Sequence, residues 1–289
     1  MLTTRKVVEK LKLDLDVQWH FLDDLRDQVS LADKLVGAVA SYLVPAFLLE
    51  RIFGIHRISP DDEMTLMFTS GSTGMPKGVV MSWNNVRSNI QAMQEVVDLR
   101  SSDVLIGILP FFHAFGYTVT LWSVLGLDIK GVYHISPLEA KQVGKLSRKH
   151  RATILVSTPT FLRSFLQRCP AEDFAHLDIA VAGAEKLPAS LIDGFEEKFG
   201  VRPVEGFGAT ELSPLVSVNI PASRTYSDEQ IFCKEGSVGR PLPGITVKVT
   251  DIDTGEELGP DEPGMLWVTG PNVMQGYLEQ PEASSAVLD

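Results

Sequence analysis

Positive charge is in short supply: 26 Lys and Arg face 37 Asp and Glu over 289 residues, a formal net charge of −11. That balance argues against a nucleic-acid partner, which selects a basic face. Cysteine is scarcer still. Cys169 and Cys233 are too few for a disulfide framework, stand in no metal-ligand spacing and suit a reducing compartment. Met1 to Lys12 carries charge throughout, unlike a secretory signal, so a cytoplasmic location is expected. Long apolar runs are missing as well. The strongest, Leu35 to Leu49, contains Ser41 and Pro45 and is too short to span a bilayer. It reads as a packed helix, with peripheral contact at a membrane surface as the second reading. No internal repeat or low-complexity tract is present. What is there, 44% hydrophobic and 22% charged residues, is ordinary for a globular chain able to bury a large core, as one big domain or two small ones.

The densest signal is Thr69-Ser-Gly-Ser-Thr-Gly-Met-Pro-Lys-Gly78. Gly71, Gly74 and Gly78 let a loop curl tightly and bring backbone N–H groups close to an anion. Thr69, Ser70, Ser72 and Thr73 add hydroxyl donors, and Lys77 adds a cation, the chemistry a polyphosphate needs. The common P-loop is excluded, because Pro76 precedes Lys77 and Gly78 follows it. A flexible Ser/Gly linker is the plain alternative. Met64-Thr-Leu-Met-Phe68 ahead of the loop reads as a buried strand, however, and Trp83 to Val97 behind it as a helix, a bracketing that linkers seldom have.

Residues Thr3 to Leu11 and Leu31 to Phe53 have helical patterning. Beyond the loop the alternation is regular. Strands are expected at Val104–Leu109, Gly131–Ile135, Thr153–Val156 and Asp178–Ala182. Helices are expected at Tyr117–Leu125, Pro137–His150, Pro159–Arg168 and Pro188–Phe199, with prolines near helix starts and Gly200 at a helix end. Such alternation predicts an α/β fold, a mostly parallel sheet flanked by helices on both faces. From Gly236 the chain turns rich in glycine and proline around Ile245–Thr250 and Met265–Val268, a small antiparallel β meander at the C-terminal end. The expected division is a lead-in over 1–63, an α/β core over 64–235 and a β-rich part over 236–289.

Four further blocks join the glycine loop: Phe111-Phe-His-Ala-Phe-Gly116, Ala182-Gly-Ala-Glu-Lys-Leu-Pro188, Glu205-Gly-Phe-Gly-Ala-Thr-Glu211 and Gly236-Ser-Val-Gly-Arg-Pro-Leu-Pro-Gly244. Together they resemble the adenylate-forming superfamily, which joins a carboxylate to AMP and passes the acyl group to a thiol. The resemblance implies that Thr69, Ser70, Gly71, Ser72, Thr73, Gly74 and Lys77 bind the phosphates of ATP. It puts His113 near the reacting carboxylate, with Phe112 and Phe115 shaping the pocket, and Gly183 and Ala184 against the adenine. Phe207 stands where the family has tyrosine; its flat ring can still stack on adenine beside Gly208. Thr210 would donate to the α-phosphate, and Glu211 would supply a hard oxygen to Mg²⁺. Alone, Phe111 to Gly116 reads as aromatic core with one satisfied histidine, and Glu185 reads equally well as a solvated loop charge. Lys141, Lys145, Arg148, Lys149 and Arg151 run without an acid among them. They form either a solvated helix face or a dock for an acidic partner such as acyl carrier protein.

Family members continue into a Tyr/Trp-x-Thr-Gly-Asp block, a hinge and a mobile domain with a catalytic lysine. The resemblance therefore implies a fragment of the large N-terminal domain, inactive by itself. The opening and the Phe111–Gly116 block look most like the synthetase half of the bifunctional 2-acylglycerophosphoethanolamine acyltransferase/acyl-ACP synthetases. That implies a fatty acid and acyl carrier protein as partners, ATP and Mg²⁺ as cofactors, and work at the cytoplasmic face of the inner membrane. A fatty-acyl-CoA synthetase is the alternative within the class. A non-catalytic nucleotide-binding module is the alternative outside it.

Overall fold

The computed structural model describes residues 2–12, 14–69, 76–226 and 233–288. The chain divides into two compact units, Met1–Ser59 and Pro60–Asp289. In the first, β1 (Leu2–Thr3) pairs in parallel with β2 (His20–Phe21), around helices α1 (Arg5–Leu11), α2 (Leu22–Gln28), α3 (Leu31–Leu43) and α4 (Ala46–Ile52). Arg5 holds Asp24 at 2.7 Å and lies 4.3 Å over the Phe21 ring. Ser30 and Asp33 form a capping box that starts α3. The packed helix expected over Leu35 to Leu49 does not form. Neither α3 nor α4 buries a side chain, and Leu35, Tyr42 and Phe47 stand 67%, 88% and 66% exposed. Short helices around a two-residue strand pair offer no second layer against which these residues can be covered.

In the second unit β3 (Glu63–Thr69) and β4 (Lys77–Ser82) form an antiparallel hairpin, with Thr69 opposite Lys77, before α5 (Trp83–Val96) begins. The glycine loop thus joins two strands rather than a strand and a helix. Only Met67 of β3 is buried, while Leu66 and Phe68 are 39% and 65% exposed. The expected buried strand is an edge strand, because β4 takes the middle place between β3 and β14 (Gly276–Tyr277).

The main sheet is built from β5 (Val104–Gly107), β6 (Lys130–Tyr133), β7 (Ile154–Ser157), β8 (Ile179–Ala182), β9 (Val204–Gly208), β10 (Leu215–Val218) and β11 (Arg240–Pro241). Its order is β11-β10-β9-β8-β7-β5-β6. The strands β5 to β9 are mutually parallel, and β10 runs antiparallel to both its neighbours, β9 and β11. The crossovers carry α6 (Ser123–Gly126), α7 (Ala140–His150), α8 (Pro159–Arg168) and α9 (Ala189–Phe199). Thr158 caps α8 with Pro159 at its start, and α9 ends on Gly200 at φ 75°. β5 and β7 are buried along their whole length, as a parallel sheet covered by helices requires. One departure concerns the helix expected over Tyr117–Leu125. Phe115–Trp122 is π-helical and only then does α6 follow. Within it the Thr120 hydroxyl takes the Gly116 carbonyl at 2.6 Å, a side-chain bond that competes with the regular ladder. The hairpin of β12 (Thr246–Thr250) and β13 (Met265–Thr269) is the expected meander, and α10 (Pro281–Ser285) closes the described chain.

From β5 the chain crosses to β6 on one side and then to β7 on the other. Strand order reverses there, so the carboxyl ends of the central strands open onto a crevice, the usual ligand position in such sheets.

Candidate functional site

The segments leaving β5, β8 and β9 converge at that crevice. His113, Phe115, Gly183, Ala184, Phe207, Gly208 and Thr210 line one pocket. Three separate motifs of the sequence thus meet in space. Gly208 is dictated by crowding, since a Cβ there would stand 1.9 Å from the Pro214 carbonyl oxygen. Ala184 takes a left-handed backbone at φ 70°, a conformation uncommon outside glycine and frequent at ligand sites. The Phe115 ring packs directly on Gly183.

His113 accepts the Phe115 N–H at Nδ1, 3.3 Å away. A nitrogen that accepts carries no hydrogen, so the neutral ring keeps its proton on Nε2 and can donate only from there. Phe112 does not share the work expected of it. It is 82% exposed, while Phe111 stands edge-on to Tyr133 at 5.4 Å. Only Phe115 of the three aromatics lines the pocket.

Glu211 opens onto an adjoining cleft with Tyr277, Trp267 and Met274. Its Oε1 accepts the Tyr277 hydroxyl at 2.9 Å. Burial and this carboxylate push the Tyr277 phenol up to about 12. The Lys77 ammonium lies 4.8 Å over the same ring, so Tyr277 stands between two residues expected in the site. Thr69 faces Lys77 across the hairpin. Ser70, Gly71, Ser72, Thr73 and Gly74 lie outside the described residues. Glu185 is exposed and accepts the Thr160 hydroxyl at 2.8 Å.

Three residues that sequence reasoning passed over hold this arrangement. Besides Tyr277 they are Asn85 and Asn89, four apart on the buried face of α5. Asn89 donates to the Leu215 carbonyl at 2.7 Å and accepts the Leu215 N–H at 3.2 Å. Asn85 donates to the carbonyls of Pro271 and Val273, both at 2.8 Å. Two amides at i and i+4 on an otherwise apolar helix face are a readable signal for such a clamp.

A second cavity adjoins the first, and Phe115 and Leu215 line both. Its walls are apolar residues such as Met93, Leu105, Val119, Ile154, Val156 and Val218. Its one hydroxyl, on Ser123, is spent on the Val119 carbonyl. For a metal, no cluster of three His, Cys, Asp or Glu occurs among the described residues, so an all-protein cage is excluded there. A single carboxylate such as Glu211, whose Oε2 meets no donor among the described residues, fits Mg²⁺ carried by nucleotide phosphates. α7 exposes Lys141, Lys145 and Lys149 in one stripe, none of them lining the pocket. Arg163 and Arg168 of the neighbouring α8 are exposed as well.

The family model described as AMP-binding enzyme matches residues 7–278. A long-chain-fatty-acid–CoA ligase of Bacillus subtilis is 31% identical over 81% of this chain and 41% of its own length. A probable 4-coumarate–CoA ligase 1 of Dictyostelium discoideum is 31% identical over 99% of this chain and 53% of its own. Among solved structures, ATP-bound MatB from Rhodopseudomonas palustris superposes with a TM-score of 0.69 at 30% identity, over 79% of this chain and 43% of that one. An o-succinylbenzoate CoA synthetase (MenE) variant from Bacillus subtilis covers 100% of this chain and 53% of its own, with a TM-score of 0.74 at 24% identity. The chain thus spans about half the length of the curated relatives it matches.

Proposed function

Because this chain belongs to the AMP-binding enzyme family, we propose that it forms the nucleotide- and acid-binding part of an ATP-dependent acid–thiol ligase acting on fatty acids. One observation carries the reading. The pocket at the strand ends, with donors from His113 and Thr210, adjoins a cavity walled almost wholly by apolar side chains, and Phe115 and Leu215 line both. A carboxylate at the pocket with a hydrocarbon tail in the cavity satisfies both chemistries.

In this reading the carboxylate oxygen attacks the α-phosphorus of ATP, pyrophosphate leaves, and a thiol then displaces AMP from the acyl carbon. Phe207 stacks on the adenine, with Gly183 and Ala184 leaving room for it. Thr210 donates to the α-phosphate, and His113 donates from Nε2 to a carboxylate oxygen. The Thr69–Gly78 loop and Lys77 hold the β- and γ-phosphates. Mg²⁺, held by Glu211 and the nucleotide, would neutralise phosphate charge as it builds.

For the thiol, we favour acyl carrier protein, in line with the resemblance to the bifunctional acyltransferase/acyl-ACP synthetases. The basic stripe on α7 supports an acidic acceptor. The second reading, CoA, draws on relatives whose names specify CoA ligases. No helix among the described residues is long and apolar enough to cross a membrane. The uncovered apolar residues of α3 and α4 support peripheral contact with a lipid surface, as a cytoplasmic enzyme of phospholipid repair would make. The test is exchange of labelled pyrophosphate into ATP by the full-length protein. Exchange that requires a fatty acid is expected; nucleotide binding without exchange leaves only a binding module. Supplying CoA or acyl carrier protein then decides the acceptor.

A further inference from the structure

Tyr277 is unassigned, yet it joins the two expected phosphate-side residues that come from different parts of the chain. Lys77 belongs to β4 and Glu211 to the turn after β9. Tyr277 pairs opposite Val79, which places its ring diagonal to Lys77 on the same face of the antiparallel pair. The strand is pinned from behind. The Tyr277 N–H donates to the Ser284 hydroxyl at 2.9 Å. Gly276 sits at φ 141°, and a Cβ on it would lie 3.1 Å from that same oxygen. The Tyr277 side chain is buried at 9% exposure, so its hydroxyl cannot swing freely into solvent.

We propose that Tyr277 is a positioning residue for the metal–nucleotide site. Its hydroxyl fixes one oxygen of Glu211 and turns the other toward the cation, and its ring seats the Lys77 ammonium beside it. The inference rests on the reading of Glu211 as a magnesium ligand. Tyr277 stands to Glu211 as an outer partner stands to a metal ligand. A carboxylate has about four lone-pair sites, and a donor of fixed position on Oε1 removes the rotational freedom that Oε2 would lose on binding a cation. Lys77 over the ring face gains a cation–π contact that holds it near the carboxylate.

The experiment uses the full chain and Mn²⁺ as the probe for Mg²⁺. Mn²⁺–ATP binding is followed by electron paramagnetic resonance, metal-free ATP binding by calorimetry, and folding by thermal melting. Tyr277→Phe keeps the ring and removes only the hydroxyl. It should weaken Mn²⁺–ATP binding by roughly tenfold, with metal-free ATP binding and the melting temperature close to wild type. Glu211→Gln should weaken Mn²⁺–ATP at least as much, and the double variant should be no worse than Glu211→Gln, because Tyr277 acts through that carboxylate. If Glu211→Gln weakens the metal complex while Tyr277→Phe matches wild type, the inference fails and the reading of Glu211 stands. If Tyr277→Phe weakens metal-free ATP binding equally, or lowers the melting temperature in proportion, its role is structural and the inference also fails. Unchanged metal binding in Glu211→Gln, or a wild-type chain that binds neither ligand, overturns the reading beneath it.

Discussion

Arg224 is 2% exposed and forks onto Asp103, itself 1% exposed, with 2.8 Å to each carboxylate oxygen. It also donates to the Asp98 carbonyl and to Asp178, tying the start of β5 to the segment after β10. A buried pair like this is costly to break from one side. Arg224→Met should lose about 3–5 kcal/mol in denaturant unfolding, because Asp103 is then left charged and buried. Burial pushes the Asp103 carboxyl up, but the Arg224 guanidinium, the Arg100 N–H and the Thr153 hydroxyl outweigh it and hold the group below the usual carboxylate range. A group depressed in the fold stabilises fully above its unfolded value, near 4 for an aspartate, roughly, and loses that as pH falls through its folded value. Stability should therefore fall below about pH 4, and Asp103→Asn should flatten that slope in melts taken across the acid range. Lys77 presents the opposite case, a residue legible in the sequence. Lys77→Ala should slow adenylation by on the order of a hundredfold and leave the melting temperature nearly unchanged, which steady-state kinetics and calorimetry would check. Lys77 and Glu211 could be singled out as candidates because their motifs are local. Tyr277 and Arg224 were not, because each gains its meaning from a partner more than sixty residues away, and a lone Tyr or Arg carries no such mark.

Among the elements, those with chemical punctuation were legible and those without it were displaced. Pro159 and Gly200 mark the ends of α8 and α9 closely, because a fixed φ and a left-handed terminus are local demands. β4 was hidden. Gly78-Val-Val-Met81 follows a glycine loop and runs straight into α5, so nothing in the sequence separates strand from loop. The edge position of β3 was equally hidden, since Met64 to Phe68 is apolar on both faces and exposure depends on where β14 pairs. The π-helical turn at Phe115 escaped a reading based on a period of 3.6. The role of α5 follows from its asparagines. Asn89 closes both backbone groups of Leu215, which lines the pocket and the apolar cavity alike. Asn89→Ala should cost about 1–3 kcal/mol, chiefly for the buried Leu215 N–H left unpaired, read by urea unfolding. Nucleotide affinity should fall with it at temperatures where the chain stays folded, because the strand that shapes the pocket loses its anchor.

At the scale of the molecule, charge is distributed against the average. The chain carries a net −11, yet α7 and α8 contain no acid. The stripe Lys141, Lys145, Lys149 repeats every fourth residue, which keeps all three on one side of the helix. Arg148, by contrast, is engaged with Glu172 and Asp173 at 3.6 and 3.5 Å and contributes less to an open positive face. The basic run was legible in the sequence. Arg163 and Arg168 of α8, which packs against α7, are exposed as well. An acidic carrier approaching this face would be steered by a local field opposite in sign to the rest of the surface, and steering of this kind acts on association rather than on chemistry. Reversing Lys141, Lys145 and Lys149 to Glu in the full-length protein should therefore raise the KM for acyl carrier protein by on the order of tenfold at low salt. The gap should narrow as ionic strength approaches about 0.15 M, where the screening length is roughly 8 Å. Pyrophosphate exchange should be unaffected, since none of these side chains lines the pocket. An unchanged KM with carrier protein, measured beside wild type across a salt series, would leave the stripe a solvated face and shift the acceptor assignment toward CoA.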